Sequence, residues 1–255
     1  MSRLLKTLPL TLAIVALSII AAGCSNQAQI RVFNGIPDAS ATLDVYVNAS
    51  KVAPSLQFTY VYPTTTTPVK YVYVPSGSNT VKAYNQGQTT NPLFTTQGLA
   101  LSASEEYTVV LAGIANQSPQ AYVFQDNNTA PNQNTGQNNE EFRVIDASAN
   151  TPINVGFDVC FYQTGLTPPT TPQISGLQIG QASSYLTLPY VQQGYTMLVM
   201  AHSDNDNCQG NPYINWPYAY PSTTNGYITT IVIVDNANNG GQGVSQTPIN
   251  LIDLD

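Results

Sequence analysis

His202, the single histidine of this chain, stands directly before Ser203 and Asp204. These are the residue types of a nucleophilic relay, which needs a nucleophile, a base and an orienting group within hydrogen-bond reach. Adjacent residues on an extended chain point apart, so the triplet itself is not a relay, and no Gly-x-Ser-x-Gly elbow occurs. One histidine also falls short of the multi-histidine zinc sites. Paired carboxylates could serve glycoside hydrolysis, but Glu105-Glu106 and Glu140-Glu141 sit in turn and linker contexts that read as solvated charge. Asp204-Asn205-Asp206-Asn207 has the oxygen-rich look of a calcium loop, which makes Asp204 and Asp206 candidate ligands. An EF-hand loop, however, wants oxygen at its fifth place and glycine at its sixth, where Cys208 and Gln209 stand. Tyr213, Trp216, Tyr218 and Tyr220 could stack on sugar rings, or could pack a sheet edge with their hydroxyls in water. The sequence calls for no catalytic residue and no cofactor.

The elements that must carry these side chains are strands. Ile30-Arg31-Val32-Phe33-Asn34 recurs as Phe142-Arg143-Val144-Ile145-Asp146. Each is followed by an alternating run, with Leu43, Val45 and Val47 or Phe157, Val159 and Phe161 on the buried face. Period two marks a half-buried strand. Asp44 and Asp158 fall at one place on the opposite face in both copies, where bonding a neighbouring turn is the expected role. The repeat continues: Tyr71-Val72-Tyr73-Val74-Pro75 matches Tyr185-Leu186-Thr187-Leu188-Pro189, and Tyr107-Thr108-Val109-Val110-Leu111 matches Tyr227-Ile228-Thr229-Thr230-Ile231. Gln117-Ser118-Pro119, leading to Asp126, matches Gln246-Thr247-Pro248, leading to Asp255. Short strands spaced by Pro, Gly and Asn turns predict two antiparallel β-sandwich domains of about seven strands each, at 30–128 and 142–255. The stretch 129–141 is rich in Asn, Gln and Thr and reads as an exposed polar linker.

Residues 1–23 read as a cleaved export signal. Arg3 and Lys6 precede an apolar run from Leu8 to Ile20 that is too short to span a bilayer, and small residues close it. Ile20-Ala21-Ala22-Gly23-Cys24 is similar to a bacterial lipobox, which makes Cys24 the acylated first residue of the mature protein and 24–29 its tether. In a diderm bacterium Ser25 permits sorting to the outer membrane. The expected localisation is therefore the bacterial cell envelope, with the first domain near the membrane and the second facing outward. Cys160 and Cys208 remain as an even pair in an oxidising compartment, so a disulfide between them is expected. Net charge is −7 and charged residues are 8% of the chain, far below the usual quarter or so. No basic patch exists to hold nucleic acid. The membrane is the expected partner, with envelope proteins or surface glycans beyond it.

Arg31-Val32-Phe33-Asn34, Pro37-Asp38-Ala39 and Leu43-Asp44-Val45-Tyr46-Val47-Asn48 resemble the opening of the family called domain of unknown function 4397. Val74-Pro75-Ser76-Gly77 and Tyr107-Thr108-Val109-Val110-Leu111-Ala112-Gly113 resemble its later landmarks. The resemblance implies an all-β chain of two tandem immunoglobulin-like sandwiches, and no catalytic residues to carry over. A non-catalytic, lipid-anchored surface protein serving adhesion, assembly or envelope structure is the expectation. The alternative is a carbohydrate-binding surface protein using the aromatic cluster of the second domain.

Overall fold

The computed structural model describes residues 26–37, 42–64, 71–115, 117–129, 131, 139–149, 155–202, 208–218, 228–235 and 246–254. Every regular element among them is a strand. A first unit comprises β1 (Gln27–Asn34), β2 (Thr42–Val47), β3 (Ser50–Gln57), β4 (Val61–Tyr62), β5 (Val72–Pro75), β6 (Gly77–Asn85), β7 (Phe94–Leu101), β8 (Glu106–Ile114) and β9 (Gln117–Gln125). A second comprises β10 (Asn139–Asp146), β11 (Phe157–Gln163), β12 (Ile174–Leu177), β13 (Leu186–Pro189), β14 (Tyr195–Ala201), β15 (Ile214–Tyr218), β16 (Ile228–Asp235) and β17 (Gln246–Leu254).

These strands make four sheets in which one order is written twice. The outer sheets are β3-β2-β6-β7 and β12-β11-β14-β15. The inner sheets are β4-β1-β8-β9, with β5 also paired to β1, and β13-β10-β16-β17. Alternation in the sequence sets the cores: Ile30, Val32, Val109 and Leu111 of one inner sheet meet Leu43, Val45, Val81 and Ala83 of its outer sheet. Phe142, Val144, Ile231 and Ile233 meet Phe157, Val159, Met197 and Val199 in the second unit. The sheets are not wholly antiparallel as expected. β1 runs parallel to β8, with Arg31 beside Thr108, and β10 runs parallel to β16, with Arg143 beside Thr230. Parallel neighbours need a long crossover, and here the excursion through the outer sheet supplies it.

The inner sheets are inner because they face each other. Phe33, Val110 and Ala112 of the first unit share one buried cluster with Ile145, Ala147, Val232, Val234 and Leu251 of the second. These are repeat equivalents by strand pairing, since Phe33 pairs with Val110 and Ile145 with Val232. The pairing makes Thr230 the counterpart of Thr108, two residues on from the match of Tyr107–Leu111 to Tyr227–Ile231 expected from the sequence. Gly180, in the turn after β12, packs against the first unit: it sits at φ +74°, and a Cβ there would strike the Tyr122 ring. The two units therefore share a buried apolar layer, and the four sheets stack in the order outer, inner, inner, outer. β1 starts at Gln27 and β10 at Asn139, inside the segments 24–29 and 129–141.

Candidate functional site

Between the inner sheets the apolar layer gives way to a polar mouth at the end where β1 and β10 begin. Arg31 and Arg143 are buried there, and both converge on the Asp126 carboxylate that follows β9. Arg143 Nη2 lies 2.6 Å from Asp126 Oδ1, and Arg31 Nε lies 3.5 Å from Oδ2. Thr108 accepts from Arg31 Nε at 2.8 Å and donates its hydroxyl to Asp126. Tyr71 donates to Asp126 Oδ2 at 3.0 Å. On the other side Arg143 donates to the Thr230 hydroxyl and to the Gln125 carbonyl. Each guanidinium also lies over a tyrosine ring, Arg31 over Tyr71 at 5.7 Å and Arg143 over Tyr185 at 4.8 Å. A charge taken out of water is tolerable when paired and fully hydrogen-bonded, and Asp126 is held in that way.

A cleft of about 520 Å³ opens beside this centre, between residues 104–106 and 125–129. Glu106 accepts from Gln29 Nε2 at 3.3 Å and from Asn128 Nδ2, and Glu105 accepts from Gln125 Nε2 at 2.7 Å. Burial, then the charges of Asp126 and Glu105, push the Glu106 carboxyl above its ordinary range against the pull of Arg31. Asn127 ties the mouth to the second unit, donating from its backbone to the Tyr185 hydroxyl and from its side chain to Glu141. The cleft is thus lined by carboxylates and amides, while both buried guanidiniums are already bonded behind it.

The residues singled out in the sequence fall elsewhere. Cys160 and Cys208 are joined by a disulfide and buried with Leu198 on the far side of the outer sheet. Tyr213 packs edge-on against Phe157, and Trp216 is partly buried against the second core. Tyr218 belongs to β15, while Tyr220, Asp204, Asp206 and Cys24 lie outside the described residues. Among the described residues no group of three His, Cys, Asp or Glu side chains is placed to hold a metal ion.

His202 meets Asp158 rather than its sequence neighbours. Its Nδ1 is 2.9 Å from Asp158 Oδ1 and 3.2 Å from Ser175 Oγ. Acid and hydroxyl share one ring nitrogen, whereas a relay needs them on opposite nitrogens. Asp158 also accepts from the Gly176 backbone, and Asp44 accepts from Ser55 and Gly87 backbone N–H groups and from Lys51. Burial acts to raise the Asp44 pKa, but the Lys51 and backbone hydrogen bonds outweigh it and hold the carboxyl below its ordinary value.

Two residues hold places that their sequence context does not show. Glu140 is not solvated charge but lies 1% exposed on the core side of β10, with neither carboxyl oxygen hydrogen-bonded. Burial pushes its pKa up to about 8. Asp126 was visible as the end of a repeated segment, but its partners lie on strands distant in sequence.

The chain belongs to the family described as Domain of unknown function (DUF4397), which matches residues 28–155, from β1 through β10. Among solved structures it is similar to one described as "Alpha-glucan binding by a streptococcal virulence factor", at 10% identity and TM-score 0.25, over 80% of this chain and 92% of that one. It is also similar to one described as "The Bacillus anthracis TIE protein", at 12% identity and TM-score 0.23, over 83% of this chain and 34% of that one. No curated protein matches the chain.

Proposed function

We propose that this chain is a non-catalytic surface module, two tandem immunoglobulin-like β-sandwiches exported to the bacterial cell envelope and anchored through lipid on Cys24. The docking of the inner sheets carries the reading. A shared apolar layer closed by a buried Arg–Asp–Arg centre holds two copies of one unit as a single block, which suits adhesion or envelope assembly. The neutral, hydrogen-bonding composition supports the same reading, as does the geometry at His202, which lacks the arrangement of a relay. Carbohydrate binding through Tyr213 and Trp216 is less well supported, because both rings pack in part against the core.

Lipid anchoring is tested by metabolic labelling with palmitate. Label should enter the wild-type protein and not Cys24→Ala, and Cys24→Ala should leave the membrane fraction. Equal labelling of the two would overturn the anchor.

A further inference from the structure

The face of the first inner sheet that looks toward the second unit is not covered to its end. Tyr73 on β5 lies there with 66% of its surface exposed. It pairs directly with Gln29 on β1, which in turn pairs with Glu106 on β8. Paired residues on neighbouring strands share a face and the strands are about 4.8 Å apart, so the three side chains form a row about 10 Å long. Gln29 Nε2 donates to Glu106 Oε1 at 3.3 Å, which fixes the amide and the carboxylate relative to each other, and Glu106 leads into the 520 Å³ cleft. The equivalent row of the second unit is Thr187, Glu141 and Ile228. The same fold is therefore built without a tyrosine, an amide or a carboxylate at those respective places, and the Tyr–Gln–Glu row is not demanded by folding.

We propose that this row, with the cleft beyond it, is a binding site for an uncharged polysaccharide. The exposed Tyr73 ring offers a flat apolar surface for the C–H face of a sugar. Gln29 supplies donor and acceptor, and Glu106 supplies acceptors, for the hydroxyls around that face. Acidic polysaccharides are disfavoured. Glu105 and Glu106 repel them, and Arg31 and Arg143 already bond Thr108, Thr230 and Asp126. The proposal rests on the reading of the chain as a non-catalytic surface module, and moves the sugar site from the Trp216 cluster to the mouth between the units.

The test is affinity electrophoresis of the purified full-length protein in gels containing dextran, mannan or amylose, with alginate as the acidic comparison. Retardation is expected in at least one neutral gel, about tenfold weaker for Tyr73→Ala, kept by Tyr73→Phe, and unchanged for Tyr60→Ala, which removes another exposed tyrosine (54%) away from the row. Glu106→Gln should weaken it severalfold. No retardation in any neutral gel, equal retardation of Tyr73→Ala, or retardation by alginate alone would overturn the site. Release of reducing ends from a polysaccharide that binds through Tyr73 would instead overturn the non-catalytic reading and leave the site standing.

Discussion

Glu140 occupies the place that Ala28 holds in the first unit, since Ala28 pairs with Val74 and Glu140 with Leu188. An alanine fits a core, whereas a carboxyl with no partner fits only while it keeps its proton. Tyr195 is the titratable group that faces it, and burial together with the Glu140 charge raises that phenol. The folded chain holds the Glu140 proton to about pH 8, whereas its ordinary value is 4.5. Between those values the folded state binds more protons than the unfolded state, so stability is highest at the acid end and falls as pH rises, by at most about 1.4 kcal/mol per unit. Denaturant midpoints measured from about pH 5 to about pH 8 should fall for the wild type, and Glu140→Gln should remove much of that slope. An equal slope in both proteins would show that Glu140 is not the group responsible. In the sequence Glu140 looked solvated because it follows a run of Asn and Gln, and composition does not reveal where a strand starts. The turn-bonding role of Asp44 and Asp158 was easier to read, because the same acid recurred one residue into each alternating strand.

At the scale of elements, the repeat is legible in β1 and β10 and in the alternating strands that follow them, but in β8 and β16 alternation alone leaves the match free to slip by two residues, and it does. Pairing is not legible, since β1 and β8 are brought together only by the path through the outer sheet, which local patterning does not encode. The same distance hid the centre that joins β1, β8 and β10 to the end of β9. Removing one partner of a buried, bonded ion pair destabilises by about 3–5 kcal/mol. Asp126→Ala should therefore lose stability of that order in equilibrium unfolding, while a surface change such as Thr95→Ala should be close to neutral. Gly180→Ala tests the interface from the other side, because its Cβ would strike the Tyr122 ring and its φ of +74° strains any side chain. A loss of about 1–3 kcal/mol is expected. The Cys160–Cys208 disulfide bridges 48 residues of separation, and its removal should cost about 4 kcal/mol in the chain-entropy model, read as a lower denaturant midpoint of the double alanine variant under non-reducing conditions.

At the scale of the whole molecule, the internal repeat marks out two units and the Asn- and Gln-rich composition of 129–141 marks the stretch between them. What neither supplies is the destination of Phe33, Val110, Ile145 and Val232, which read as ordinary strand residues of either face. Their burial against one another makes the two units one body, with the outer sheets at its extremes and the polar mouth at one end of the seam. Wild-type unfolding should then be a single cooperative transition, and Val232→Asp, which places a charge in the shared layer, should split it into two in calorimetry. The most direct test of the docked arrangement is a distance distribution between spin labels on the two outer sheets, at Thr95→Cys on β7 and Asn215→Cys on β15 in a Cys24→Ala background. One narrow distance that persists in dilute solution is predicted. A broad distribution, as from two units swinging on a free linker, would contradict the account.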